Sequence, residues 1–341
     1  MDKKKAITPS LPRLEAIPRT PVERAELQKR SNIPRLWLWT ALVLTVGIII
    51  VSVVSLNAAN WIKNVQIPGV GVQNTTLSPV TTLKVQRTAP YAGLDMTVVN
   101  AQYATSFSDD EIRSGHAVVR LNMQIANHTT GQINIVYYDI ARLLAPNINP
   151  LAPTNVHLSV GPEPGTSETG WIDFSVPRDV QLSGLTLQLG STSLNEALVN
   201  FPFVGPFNST RYADSVSSHM ATISYTFFTH VLTYHLTSIE MRYAYQGSQC
   251  KAGQQFYILN FRVNNPEGAD VSPGYGFDYM RLLLNGNSRP PIDNSLPYTF
   301  KAGAKGVSGR VVFSAPSGLK ALTIGFLSQN GTGEQDTNVM L

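Results

Sequence analysis

A single cysteine, Cys250, stands among the 341 residues, so no disulfide can form within one chain. Charge is scarce as well: Asp, Glu, Lys and Arg make up 14% of the chain, against roughly 25% in an average globular protein. What charge there is lies unevenly. Residues 1–35 hold nine Lys/Arg and four Asp/Glu, whereas everything after Arg35 holds seventeen against eighteen. The basic character thus belongs to the N-terminal tail, and a face for nucleic acid is not expected. HExxH, paired CxxC, an EF-hand loop and the G-x-S-x-G elbow are all missing, which removes the standard zinc, calcium and serine-hydrolase patterns. No helical pattern is evident beyond residue 60.

The residues with chemistry to offer are few. Asp109, Asp110 and Glu111 form a dense acidic cluster near His116. Clustered carboxylates can hold a hard cation, but the corresponding stretch later in the chain, GSQCKAG at 247–253, carries no acid. The cluster is therefore read as a solvated loop. Cys250 invites comparison with a membrane-anchored cysteine transpeptidase of the sortase type, which needs a thiolate beside His and Arg. Its Gly/Ser/Gln surroundings do not resemble the TLxTC motif of those enzymes, and a small residue in a loop or core is the expectation. Sequons occur at Asn74, Asn127, Asn208 and Asn330; they matter where exported proteins are glycosylated. No catalytic, metal or cofactor-binding residue is assigned, no cofactor is expected, and the chain is not expected to be an enzyme.

What is present begins with a membrane signal. Between Arg35 and Lys63 there is no charge, and LWLWTALVLTVGIIIVSVVSL fills 36–56. About 20 apolar residues span the ~30 Å hydrocarbon layer as a helix. Trp37, Trp39 and Trp61 stand at its ends, where indole rings favour the headgroup region. With nine basic residues ahead of it, the positive-inside rule puts the N-terminus in the cytoplasm and the bulk of the chain outside the cell membrane. The run is too long, and its leader too extended, for a cleaved signal peptide. The tail has five prolines in 35 residues, read as disordered, with a possible helix at 21–30 announced by the Thr20-Pro21-Val22-Glu23 cap.

Beyond a stalk at 58–82, the chain repeats itself. LNMQIAN at 121–127 returns 138 residues later as LNFRVNN at 259–265. Asp-x-x-Arg-Leu-Leu occurs at 139–144 and 278–283, and FSVP at 174–177 matches FSAP at 313–316. Phe follows Asp by 35 residues both times, and LTL at 185–187 matches LTI at 322–324. One order at near-constant spacing marks a tandem duplication of a unit of about 110 residues. Val119, Leu121, Met123 and Ile125 alternate with polar residues, and Tyr257, Leu259, Phe261 and Val263 hold the same parity. Period two predicts a strand with one face in a core, and shared parity predicts the same buried face in both copies. Asp139 and Asp278 are expected to bind turn amides, and Arg142 and Arg281 to be rim charges over a sheet edge. Pro177 and Pro316 end strands.

Short strands with regular turn signals predict an all-β chain: two tandem immunoglobulin-like β-sandwich domains at 83–205 and 220–329, joined by a linker at 206–219 and followed by a flexible tail at 330–341. A Gly ahead of a strand ending in Asn, the Asp-x-x-Arg-Leu-Leu strand, the strand closing on Pro and the final Leu-Thr-Leu strand resemble a bacterial immunoglobulin-like extracellular domain of unknown function, fold-related to a secreted bacterial immunogenic antigen. The resemblance spans about 95–190 and 235–328. It implies an extracytoplasmic β-sandwich behind a signal or anchor, and supplies no catalytic residue. The expected role is a single-pass protein held in the membrane by residues 36–57, binding an extracytoplasmic protein or glycan or serving adhesion or envelope structure. The alternatives are a sensor or signalling adaptor acting through the cytoplasmic tail, and an envelope enzyme of unrecognised type. Deleting residues 2–30 separates the first two. Retained function at normal surface display is expected for the binding role, and its loss for the signalling one.

Overall fold

Alternation decides which strands form and which way they face. A computed structural model describes residues 79–108, 116–327 and 334–341, and these are all-β, with every pairing between named strands antiparallel. The tail, the apolar run at 36–57 and the stalk up to residue 78 lie outside the described residues, as do the acids at 109–111. Among the described residues no helix is long and apolar enough to cross a membrane.

In chain order the N-terminal half contains β1 (Thr81–Tyr91), β2 (Leu94–Ala104), β3 (His116–Ala126), β4 (Ala141–Ala145), β5 (Ile148–Leu151), β6 (Asn155–His157), β7 (Ser167–Pro177), β8 (Thr186–Leu189) and β9 (Val199–Pro202). The C-terminal half contains β10 (Ser215–Ser217), β11 (Ala221–Phe227), β12 (His230–Arg242), β13 (Ala244–Tyr245), β14 (Ser248–Gln249), β15 (Gln254–Asn264), β16 (Met280–Leu284), β17 (Asn287–Arg289), β18 (Asp293–Asn294), β19 (Val307–Pro316), β20 (Ala321–Leu327) and β21 (Glu334–Met340). The first half pairs its strands as β1-β2-β3-β7-β6 and β5-β4-β8-β9. The second repeats both orders as β11-β12-β15-β19-β18 and β17-β16-β20-β21, with β10 also on β12.

The two sheets of each half share a core. Leu121 and Phe174 meet Leu187 and Phe201 in the first, and Leu259 and Phe313 meet Ile324 and Phe326 in the second. The parity expectation holds: Val119, Leu121, Met123 and Ile125 are buried, as are Tyr257, Leu259, Phe261 and Val263. Burying eight such side chains contributes about 1.5–3 kcal/mol each. Register repeats too. Leu121 lies opposite Ile172 and Leu259 opposite Val311, and both copies slip by one residue at one bulge, between Val98 and Asn100 and between Leu236 and Ser238. A slip re-aims the side chains beyond it; here Asn122 Nδ2 donates to Asn100 Oδ1 at 2.7 Å and Asn260 Nδ2 to Ser238 Oγ at 3.0 Å. Gly170 and Gly309 are matched for a steric reason. A Cβ on Gly170 would lie 2.0 Å from the His157 carbonyl oxygen, and one on Gly309 3.0 Å from Leu296 Cα.

The asparagine that ends each heptapeptide holds the loops beyond it. Asn127 Nδ2 donates to the carbonyls of Gly131 (3.1 Å) and Pro162 (3.0 Å), while its Oδ1 accepts from Thr129 N–H at 2.9 Å. Asn265 Nδ2 donates to Ala269 (2.9 Å), Phe300 (3.0 Å) and Lys301 (3.0 Å), and its Oδ1 accepts from Glu267 N–H at 3.0 Å. Both side chains are 0% exposed. No other small side chain offers two donors and an acceptor in this plane, so the amide satisfies carbonyls that burial would leave orphaned.

Two boundaries differ from expectation. The tail forecast at 330–341 becomes β21 over Glu334–Met340, paired with β20 from Ala321↔Met340 to Leu327↔Glu334. Among the described side chains of that strand only Val339 is buried in the core, too sparse an apolar signal for alternation to reveal. Its place in the sheet is that of β9. Residues 206–219, forecast as a linker, carry a 3-10 turn at Ser209–Tyr212 and β10, and Tyr212 is buried.

Asn127→Ala and Asn265→Ala each leave buried carbonyls unpaired, and each is expected to lower stability by roughly 2–4 kcal/mol in urea unfolding. Asn265→Asp, which keeps the shape and loses the donors, should cost a similar amount.

Candidate functional site

Where the halves meet, the β13–β14 hairpin is the connecting piece. Gln246 (φ 48°) and Gly247 (φ 78°) form its two-residue turn, the left-handed pair that matches strand twist. Gln249 then reaches across. Ala92 N–H donates to Gln249 Oε1 at 2.9 Å, and Gln249 Nε2 donates to the Ala197 carbonyl at 3.2 Å. Ala197 N–H donates to the Cys250 carbonyl and Ala252 N–H to that of Asn195, both at 2.8 Å. Glu196 accepts from Tyr91 OH and from Ser191 N–H, each at 2.8 Å. Burial first, and then that carboxylate, push the Tyr91 phenol far above its ordinary value. A cleft of about 460 Å³ opens beside this junction, lined by Thr192, Asn195, Glu196, Arg211, Tyr243 and Ser317 among others.

Cys250 sits inside this junction. It is 1% exposed, its thiol donates to the Gln254 carbonyl at 3.0 Å, and burial, followed by the Glu196 charge, pushes its pKa up to about 12. A thiol so buried and hydrogen-bonded packs as a small apolar group. The expected place in a core fits.

The surface has its own recurrent feature. Just before β16, the turn Gly276–Tyr279 exposes Tyr275 (53%) and Phe277 (40%), and Tyr298 (51%) stands against Tyr275 with ring centroids 5.2 Å apart. Just before β4, the matching turn Tyr137–Ile140 exposes Val136, Tyr138 and, on the adjoining segment, Val160. Large exposed apolar groups gathered in one place mark binding surfaces more often than scattered ones do. Tyrosine suits such a surface, offering a rigid amphipathic ring at little entropic cost. The sequence held no motif for either cluster. The repeat alone pointed to the position, through the Asp-x-x-Arg turn that carries it.

That turn also corrects the role expected of its arginines. They are not simple rim charges: Arg142 Nη1 donates to the carbonyls of Tyr138 (2.8 Å) and Ala141 (2.6 Å), and Arg281 Nη1 to those of Phe277 (2.8 Å) and Met280 (2.7 Å). Each closes the carbonyl end of one helical turn before the chain extends. Asp278 behaves as expected, accepting from Tyr275 N–H at 2.8 Å, whereas the turn beginning at Tyr137 has no side-chain cap.

The remaining candidates do not converge. Among the described residues no three His, Cys, Asp or Glu side chains are placed to hold a metal ion. His157 stacks on Trp171 with centroids 3.9 Å apart, and His235 bonds to Thr222 and Asn264. Of the sequons, Asn127 is committed to its clamp, Asn208 is exposed and caps the Ser209–Tyr212 turn through Thr210 N–H, and Asn74 and Asn330 lie outside the described residues.

The described residues define an all-β protein of sandwich-like layers. No family model matches the sequence, and no curated protein matches it. Among solved structures, the crystal structure of the conserved domain protein from Bacillus anthracis aligns over 76% of this chain and 91% of its own, with 8% identity and a TM-score of 0.22. So low a score carries no argument about fold or role.

Alkylation of Cys250 checks its burial. At pH 9 the folded chain should react with iodoacetamide at least about 100-fold more slowly than the urea-unfolded chain, read by mass spectrometry. The folded state keeps its proton to about pH 12 while the unfolded thiol titrates near 9.0. The contribution of this group to stability is therefore whole below about pH 9 and lost as pH rises towards 12.

Proposed function

We propose that this chain is a single-pass membrane protein, anchored by residues 36–57 with residues 1–35 in the cytoplasm, that displays two tandem immunoglobulin-like domains outside the cell. The domains bind an extracytoplasmic protein or glycan, and the aromatic turns ahead of β4 and β16 make the contact. The observation that carries this reading is the recurrence of the exposed cluster at one matched position in both halves, Val136 and Tyr138 in one and Tyr275 and Phe277 in the other. An exposed aromatic costs solubility, and a feature of that kind at both positions fits a binding role. Supporting the tandem reading, strand orders and bulge positions repeat. The junction built on Gln249 would fix the spacing between the two aromatic turns, which limits the ordering entropy lost on binding. On this reading β21 belongs to the second domain.

A photo-crosslinking amino acid at Phe277, in the full chain in native membranes, provides the test. Crosslinks to envelope protein or glycan are expected, and Tyr275→Ser with Tyr298→Ser should reduce them at least about tenfold with the melting temperature unchanged. Crosslinks that persist in the double variant would remove the aromatic turns from the binding role.

A further inference from the structure

The cleft beside the junction draws its walls from both halves. The loop between β8 and β9 brings Thr192, Asn195 and Glu196, the Ser209–Tyr212 turn brings Arg211, and the second half brings Tyr243 and Ser317. Main-chain bonds fix these walls. Ala252 N–H donates to the Asn195 carbonyl at 2.8 Å and Ser317 N–H to that of Gly253 at 2.9 Å, while Tyr212 OH donates to the Leu198 carbonyl. The volume of about 460 Å³ falls within the roughly 300–1,000 Å³ of small-molecule sites, which favour places where two folded units meet. No residue of the aromatic turns lines it.

Its polar side chains are largely uncommitted. Among the described residues Arg211 has no ion-pair or hydrogen-bond partner, and its guanidinium rests over the Tyr212 ring, 5.4 Å from the centroid. The Thr192 hydroxyl, the Asn195 amide and the Tyr243 hydroxyl likewise have no hydrogen-bond partner among the described residues. Asn195 stands at φ 55°, with its N–H donating to the Thr192 carbonyl at 3.1 Å and its own carbonyl held by Ala252. Its amide is thus presented on a fixed stem. Glu196 differs in that its hydrogen bonds, from Tyr91 OH and from Ser191 N–H at 2.8 Å each, both fall on Oε2. Its charge is already met in part, and Oε1 is left as an acceptor.

An unpaired guanidinium suits an anion, and a planar carboxylate best, because two parallel N–H bonds can form. Hydroxyls and an amide suit ligand hydroxyls, which donate and accept at once. An apolar ligand would leave all of these groups dry and unpaired. We propose that the cleft binds a carboxylated sugar, a uronic acid unit, with its carboxylate on Arg211 and its ring hydroxyls on Asn195, Thr192 and Glu196 Oε1. Tyr243 closes the second wall as an amphipathic surface, wet at its hydroxyl. Because the walls are tied by backbone, little ordering is lost on binding.

Ligand-observed saturation-transfer NMR tests this on the full chain, in a detergent without a sugar headgroup, with glucuronate, glucose and acetate as probes. Glucuronate should bind saturably with a dissociation constant of about 1 mM. Glucose and acetate each carry one part of the recognised chemistry and should bind at least about tenfold more weakly. Arg211→Gln should bring glucuronate down to the level of glucose. Asn195→Gly keeps the left-handed backbone, removes the amide, and should weaken both sugars at least about threefold. Both positions are exposed, and circular dichroism with the melting temperature establishes that the variants are folded. Absence of saturable glucuronate binding to the wild type overturns the proposal without recourse to any variant. Acetate binding as tightly as glucuronate overturns it by assigning the cleft to charge alone. Equal affinity for glucose, or unchanged affinity in folded Arg211→Gln, overturns it by leaving the guanidinium without a role.

Discussion

The two-residue period of β3 and β15 is the constraint on which the structure rests. A strand in the middle of a sheet has two faces, and committing one to a core leaves the other to be dealt with. The inward faces are buried and apolar in both halves: Leu121 matches Leu259, Met123 Phe261 and Ile125 Val263. The outward faces are not. On the outward face of β15, Phe256 and Ile258 are buried in the cluster that also holds the first core, with Tyr243 and Tyr245 packed on it. In β3 the same face carries Arg120, whose charge is neutralised by Asp173 and shielded by two rings. The two halves thus carry different outward chemistry on a shared strand order.

Loops are governed by a second requirement, the pairing of buried backbone groups. Asn127 and Asn265 each satisfy a carbonyl four residues on and another thirty-five residues on. Two loops distant in sequence are thereby held to one strand end. Arg142 and Arg281 do comparable work on the turns that expose Tyr138 and Phe277. The aromatic clusters are thus mounted on backbone whose polar groups are already paired, and this lets bulky apolar side chains stay outward without the turn collapsing around them.

Much of the fold was legible in the sequence. LNMQIAN and LNFRVNN give the buried face by parity, and the fixed spacing to Asp-x-x-Arg and FSVP/FSAP gives the order of the strands that follow. Legibility failed where the signal was sparse or non-local. Among the described side chains of β21 only Val339 is buried in the core, and its backbone pairs with β20, a partner that pattern cannot name. The arginines looked like rim charges because the carbonyls they cap belong to main chain, which carries no sequence label. Cys250 could be read as a small buried residue, yet the hydrogen bond from Ala92 N–H to Gln249 Oε1, 157 positions apart, is invisible in any local window.

By itself the sequence determined the all-β class, the repeat, the faces of the central strands and the places where proline and asparagine end them. It could do so because period, spacing and turn chemistry are properties of neighbouring residues. Only the tertiary structure decided that Ile258 faces a partner within the chain while Arg120 faces its own carboxylate, that the thiol of Cys250 is sealed in the junction, and that two aromatic turns stand outward at matched positions. Those outcomes depend on which surfaces meet, and surfaces are assembled from residues that the sequence keeps far apart.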